Sequence, residues 1–361
     1  MMIRRSDAYW ASEKREGVAL ILVLLTLFTL GVMAGIFAYA MKVETRLAAN
    51  TTSGTELEWL GRSGVEIAKW ILVQQETQIP SERGYTALNQ FWAGGPGPVE
   101  SVDNPFAGMS LREIPVGEGK VSIEITDQER WININSVYRN PLLMEQALSM
   151  AGAGAADASA ISASLIDWID RNDIPEAAHG AESEFYRGLP EPIQAKNGAI
   201  DDLQELLLVR GVTPEIFWGR NQSVEDGEGD RRKGRRARKS MNEPSNAQEA
   251  GLVQIFCAIS TGRVNVNTAS ESVLCVLLNG DSARARDAVR MRNEMPARDA
   301  GDIARILGGP AGGPSGNQLS AQSYTFSIRV GVQLGAARGT FVGLVGRSGA
   351  RDYQTLQFRR E

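Results

Sequence analysis

The sequence predicts an α+β protein: a long N-terminal helix, an antiparallel sheet, and a large α-helical domain inserted into that sheet. Three observations carry this. An apolar run without charges begins at Val18, an alternating strand pattern at residues 120–127 resumes only at 323–360, and the stretch between them has helical periodicity.

The first element is REGVALILVLLTLFTLGVMAGIFAYAMKVE, residues 15 to 44. Val18 to Met41 is 24 residues without a charge; as a helix it would be about 36 Å long, enough for a hydrocarbon core of about 30 Å. Ala38-Tyr39-Ala40 matches a signal-peptidase pattern, but a cleaved signal has an apolar stretch of only about 7 to 15 residues. An uncleaved single-pass anchor is therefore expected. Arg4, Arg5, Lys14 and Arg15 would face the cytoplasm and the bulk of the chain would lie outside.

Helical spacing continues through Val43, Leu47, Leu57, Leu60, Ile67, Ile71 and Leu72 to about Gln78. Gly54, Gly61 and Gly64 weaken this half, so bending or melting is expected near residues 50 to 64. Residues 94–119 are rich in Gly and Pro and read as a loop. Lys120–Asp127 alternates apolar and polar residues and reads as a strand, and Trp131–Ser136 as a second. From Pro141 to about Leu208, LLMEQALSMAG, SASLIDWIDRND and AIDDLQELLLVRG have apolar residues three or four apart and read as helices. SYTFSIRVGVQ, TFVGLVGRS and YQTLQFRR then complete the sheet.

Residues 222–249 form a charged low-complexity loop in which EDGEGD precedes RRKGRRARK at 231–239. The acidic run compensates the basic one locally, and no aromatic residue interleaves it, so a solvated loop is expected rather than a nucleic-acid contact. After it, VNVNTAS at 264–270 echoes WININS at 131–136, which suggests two similar strand-to-helix starts, with Ser270 capping a helix.

A net charge of −5 argues against phosphate-polymer binding. Two cysteines, Cys257 and Cys275, are too few for a disulfide framework and lack zinc-ligand spacing; one bridge or two buried thiols both remain open. A single histidine, His179, with no nucleophile motif, no P-loop and no dinucleotide fingerprint, points away from an enzyme. Two segments, LLLVRGVTPEIF and VNVNTASESVLCVLLNGDSARARDAV, read as helix-hairpin-helix pieces. Asp281 stands where a bound phosphate would sit in the second, so a structural role is expected.

Carboxylates gather in SLIDWIDRNDIPEAAHGAESEFYRG. Asp167 and Asp170 are three apart on the predicted helix, Asp173 follows at its negative end, and Glu182 and Glu184 are a loop away. A hard oxygen cage for Ca²⁺ and ion pairing with Arg171 or Arg187 would each satisfy these charges.

Taken together, the short charged leader ending in glycine, the apolar helix directly after it and the interrupted sheet resemble the type IV pilin-like proteins. SIEITDQERWININ, LIDWIDRNDIPEAAHGAESEFY, LQELLLVRGVTPEIF and VNVNTA resemble, in order, the K-type minor pseudopilins of type II secretion. The resemblance implies a prepilin leader at 1–17, peptidase cleavage between Gly17 and Val18, and N-methylation of Val18. Residues 18–41 would be the transmembrane and filament-core helix, 42–136 with 319–361 a pilin-like α/β domain, and 137–318 the helical insert. Its partners would be I-type and J-type minor pseudopilins, the major pseudopilin, the prepilin peptidase and the inner membrane. No nucleic acid is expected among them.

The role implied is to initiate a pseudopilus at its tip for export of folded proteins across the outer membrane, with the bulk in the periplasm. A calcium site is implied at Asp167, Asp170, Asp173 and Glu182. His179 before Gly180-Ala181-Glu182 and the loop 222–249 depart from the family pattern. Related subunits carry a glutamate as the fifth mature residue, to pair with the terminal amine of the subunit ahead; here that position is Leu22. A first subunit has no neighbour to supply the amine, and a buried unpaired carboxylate is costly. A pilus-associated DNA-capture protein is the alternative, resting on the hairpins and the basic run.

Overall fold

The computed structural model describes residues 16–95, 105–176, 179–219, 250–309, 318–349 and 352–361, excluding the side chains of 16–17 and 46–53. The leader's basic residues and the charged loop 222–249 lie outside them. In chain order the elements are α1 Glu16–Gln78, β1 Ile114–Val116, β2 Gly119–Asp127, β3 Ile132–Asn133, α2 Ile134–Val137, α3 Pro141–Met150, α4 Ala155–Ile169, α5 Ser183–Arg187, α6 Pro214–Trp218 and α7 Leu252–Ile255. They continue with β4 Phe256–Cys257, β5 Val264–Asn265, α8 Glu271–Leu277, α9 Ser282–Glu294, α10 Ala300–Ile306, β6 Leu319–Ser320, β7 Thr325–Leu334, β8 Ala337–Gly349 and β9 Asp352–Arg360. This is the expected α+β class.

The chain forms two compact units, Met1–Trp59 and Leu60–Glu361. In the first, Val18–Thr45 is a 28-residue stretch long and apolar enough to cross a membrane. Val18 and Leu22 are 62% and 56% exposed. The backbone stays helical through Gly54, Gly61 and Gly64, so the helix does not melt there.

The second unit explains two of these glycines. A five-stranded antiparallel sheet has the order β1-β2-β7-β8-β9, with Ile123 opposite Val330 and Val330 opposite Phe341. The end of α1 lies against this sheet so closely that a Cβ on Gly61 would sit 2.6 Å from the Phe341 ring, and one on Gly64 would overlap the Val330 side chain. The contact is reciprocal: a Cβ on sheet residue Gly343 would sit 2.8 Å from Val65, and one on Gly119 2.6 Å from Leu60. Side chains of each layer thus occupy glycine notches in the other, and the packing gain outweighs the helix propensity lost.

β1 lies within the segment expected to be loop. The predicted strand at 131–136 pairs only over Ile132–Asn133 and then turns into α2, because the Asn133 carboxamide accepts the Asn135 N–H at 2.9 Å. Such local side-chain bonding competes with a ladder. β3 pairs in parallel with β4, and β5 with β6. These ladders tie residues 132–133 and 319–320 into the helical region. One hydrophobic core runs from Ile132 to Ala321 within it. The predicted helix around LQELLL is a 3-10 helix, Leu203–Leu208, capped by Asp202.

The echo between WININS and VNVNTAS is structural. Asn265 accepts the Asn267 N–H at 2.9 Å, as Asn133 does with Asn135. The second asparagine of each pair then clamps a distant backbone: Asn135 accepts from Ile200 N at 2.8 Å and donates to its carbonyl at 2.9 Å, and Asn267 does the same with Ala297 at 2.8 and 2.9 Å. In both cases a helix capped by aspartate, Asp202 or Asp299, begins shortly after the clamp. Each asparagine pair is followed by a helical hairpin, α3–α4 or α8–α9, so the insert is built from two versions of one unit.

The insert is tied to the sheet through the end of β2. Asp127 is fully buried; its Oδ2 accepts from Thr268 Oγ1 at 2.5 Å, Ser323 Oγ at 2.6 Å and Asn265 Nδ2 at 3.4 Å, and its Oδ1 from Glu129 N at 2.8 Å. Glu129 accepts the N–H groups of Thr261, Tyr324 and Thr325 at 3.3, 3.2 and 3.0 Å.

Gly64→Ala should destabilise the protein by about 1–3 kcal/mol through overpacking against Val330, whereas Gly54→Ala, whose Cβ meets nothing within 4 Å, should not destabilise; thermal unfolding of both variants checks this. Asp127→Ala strands buried donors on three segments and should cost about 3 kcal/mol or more, read as a large drop in melting temperature.

Candidate functional site

α4 is amphipathic, burying Ile161, Leu165, Trp168 and Ile169, and it carries Asp167 into the interior with them. Asp167 Oδ1 accepts the Glu176 N–H at 2.7 Å, while Oδ2 is buried with no partner. The helix ends at Ile169 and Asp170 is extended, at φ −73° and ψ 170°. Its N–H still bonds to the Ile166 carbonyl at 2.8 Å, so Asp170 is the last residue in helical register, three after Asp167. The Asp170 carboxylate accepts from Asn172 N at 3.2 Å and Asn172 Nδ2 at 2.8 Å, turning the chain out of the helix.

The chain returns at Gly180, where a Cβ would overlap Asp167 Oδ2 and lie 2.8 Å from Glu176 N. Only glycine allows this approach, and it brings Glu182 in at the start of α5. Glu182 is 4% exposed and both carboxylate oxygens lack a partner. Burial, followed by the charges of Asp167, Asp170 and Asp173, pushes it up to about 7. Asp167 is raised for the same first reason. Asp173 is exposed, and a hydrogen bond from Ser183 holds it below the ordinary range. Glu184 is exposed to solvent and does not join the group.

The structure thus draws Asp167, Asp170, Asp173 and Glu182 into one electrostatic neighbourhood. Among the described residues, however, no three or more His, Cys, Asp or Glu side chains are gathered tightly enough to cage an ion by themselves. Neutral oxygens missed in the sequence lie beside them. The Asn197 amide, on a backbone at φ 44°, places its Nδ2 3.1 Å from the Asn172 carbonyl and 3.5 Å from Asp173 Oδ1, and its own Oδ1 is buried without a partner. The only sequence signal for Asn197 was the Asn-Gly pair itself, which marks a turn and not a ligand. Orphaned carboxylate oxygens, a carbonyl and an amide form a donor set suited to a hard cation.

The other candidates resolve simply. Cys257 and Cys275 are free and buried. Between α8 and α9, Asn279 and Gly280 take positive φ, and the Asp281 carboxylate caps α9 through Arg284 N at 3.0 Å, filling the place a phosphate would take. Ser270 caps α8 through Val273 N at 3.2 Å. The basic run 231–239 lies outside the described residues.

A family model described as type II secretion system protein K matches residues 132–218, which hold the acidic loop. Type II secretion system protein K of Aeromonas hydrophila is 25% identical over 79% of this chain and 77% of its own length. The protein of the same name from Klebsiella pneumoniae is 22% identical over 57% of this chain, and the match spans 61% of that relative's length. The fold is similar to that of a chain in the GspK-GspI-GspJ complex of the enterotoxigenic Escherichia coli type 2 secretion system, with a TM-score of 0.61, 18% identity, and coverage of 87% of this chain and 99% of that one. With an apolar N-terminal helix, a five-stranded sheet and a helical domain between its second and third strands that holds the matched region, the chain is similar to the K-type minor pseudopilins of type II secretion.

Proposed function

We propose that this protein caps and initiates the pseudopilus, as a structural subunit and not a catalyst, for export of folded proteins across the outer membrane. The observation that carries this reading is the placement of the helical domain between β2 and β7, a bulk that an ordinary stacking subunit would have to accommodate at every neighbour. Leu22 supports it: an apolar residue at the fifth mature position needs no terminal amine from a subunit ahead. I-type and J-type minor pseudopilins are the partners that the solved complex suggests, and the major pseudopilin would lie below them. Val18–Thr45 would hold the subunit in the inner membrane before assembly, with the bulk in the periplasm. Prepilin peptidase would cut between Gly17 and Val18 and leave Val18 methylated. Mass spectrometry of the protein from its host should find a methylated N-terminus at Val18; a chain starting at Met1 or after Ala40 would overturn the processing step.

The acidic loop is read as a Ca²⁺ site. Asp173, Glu182, the Asn172 carbonyl and Asn197 would hold the ion, with Asp167 and Asp170 shaping the loop and adding negative charge. Ca²⁺ supplies the positive charge that the unpaired oxygens of Glu182 lack. Loading would order the segment between α4 and α5 and, through Asn197, the approach to the Ile200–Asn135 clamp. Calorimetry on the detergent-solubilised full chain should give a Ca²⁺ binding heat, weakened by about tenfold or more in Asp170→Ala and in Asn197→Gly, which keeps the left-handed backbone. Absence of both heat and thermal shift in millimolar Ca²⁺ would refute the site.

A further inference from the structure

Beyond α1 the chain runs through a short 3-10 turn, Pro80–Glu82, into a strap that is bound to Asn265 of the insert and to the segment that leads from the insert into β7. Thr86 N donates to the Ala321 carbonyl at 2.8 Å, Asn265 Nδ2 to the Thr86 carbonyl at 2.9 Å, and Gln322 Nε2 to the Gly84 carbonyl at 2.6 Å. Between this strap, the last turns of α1 and the sheet is a cavity of about 30 Å³, lined among others by Gln75, Glu82, Thr86, Gln322, Arg347 and Tyr353. Gln75 and Glu82 are 4% and 8% exposed, yet Gln75 Nε2, Gln75 Oε1 and Glu82 Oε2 have no partner. The nearby cation does not serve them, because Arg347 is engaged with Glu76 at 2.7 Å.

The chemistry of these three atoms and the size of the space select the occupant. A Ca²⁺ ion needs about 6 to 8 oxygens and Mg²⁺ a near-ideal octahedron, and one carboxylate oxygen with one amide falls short of both. A water molecule needs roughly 10–15 Å³ and two to four polar partners, which this space offers. A primary amide can hold one water in a ring, donating through its N–H and accepting at its carbonyl. That leaves the water one O–H for a further acceptor. Exchanging the amide's oxygen and nitrogen preserves the ring, so the match does not depend on which way the amide is assigned.

We propose that this cavity is a hydration site, in which one internal water closes a ring with the Gln75 amide and donates its second O–H to Glu82 Oε2. The water is then the link that sets the Pro80–Glu82 turn against the end of α1, and through the strap aligns the last turns of that helix with the insert. The site is independent of the acidic loop and of the capping role.

A crystal structure of the detergent-solubilised full chain at a resolution that shows ordered waters tests it. One peak about 2.7–3.2 Å from the Gln75 amide and the Glu82 carboxylate is expected. That peak should persist in Glu82→Gln, which keeps an acceptor, and vanish in Gln75→Leu. A dry cavity, a direct Gln75–Glu82 bond, or a peak with contacts near the roughly 2.3–2.6 Å of a metal ion would overturn the proposal, as would a peak retained in Gln75→Leu. If Gln75→Leu does not fold, the wild-type map and Glu82→Gln decide.

Discussion

The buried carboxylate of Asp127 is the constraint around which the larger unit is arranged. It sits at the last residue of β2, where the chain leaves the sheet, and receives donors from Thr268 at the start of α8 and from Ser323 just before β7. These partners are 141 and 196 residues away in sequence. Burial and the neighbouring Glu129 carboxylate push its proton affinity upward, and the hydroxyl donors pull it back. A buried carboxylate is tolerable only with hydrogen-bond donors in place, so its presence favours one arrangement of exit and return. Glu129, which accepts three backbone N–H groups from the two returning segments, fixes the same junction from the adjacent side.

The acidic loop is the opposite case. Glu182 is as enclosed as a core residue but has no donors, and its surroundings add negative charge instead of removing it. A fold that satisfies Asp127 with four donors and leaves Glu182 with none treats the two carboxylates differently. The first is part of the scaffold. The second is buried without a donor to either oxygen, and the matched family region contains it.

Much of the fold was legible in residue patterns. The alternation in KVSIEITD and SYTFSIRVGVQ marked β2 and β7 to within one or two residues, because one face of each is buried and the other is not. WININS misled, since Ile132, Asn133 and Ile134 are all buried and the asparagine side chain, not a partner strand, sets the backbone. In the site, the acidic residues were visible by type and spacing. Asn197 and the Asn172 carbonyl were not, because a neutral oxygen becomes a ligand candidate only when folding places it beside unpaired charge.

By itself the sequence determined the uncharged run from Val18, its length relative to a bilayer, the leucine at position 22, and the interruption of the sheet by a helical domain, all properties of local composition and period. Only the tertiary structure decided why Gly61 and Gly64 stand in a helix, since the answer is the approach of Phe341 and Val330 from strands far along the chain. It also decided which carboxylates are satisfied. Hydrogen bonding and desolvation depend on atoms brought together across the chain, and no spacing along the sequence records them.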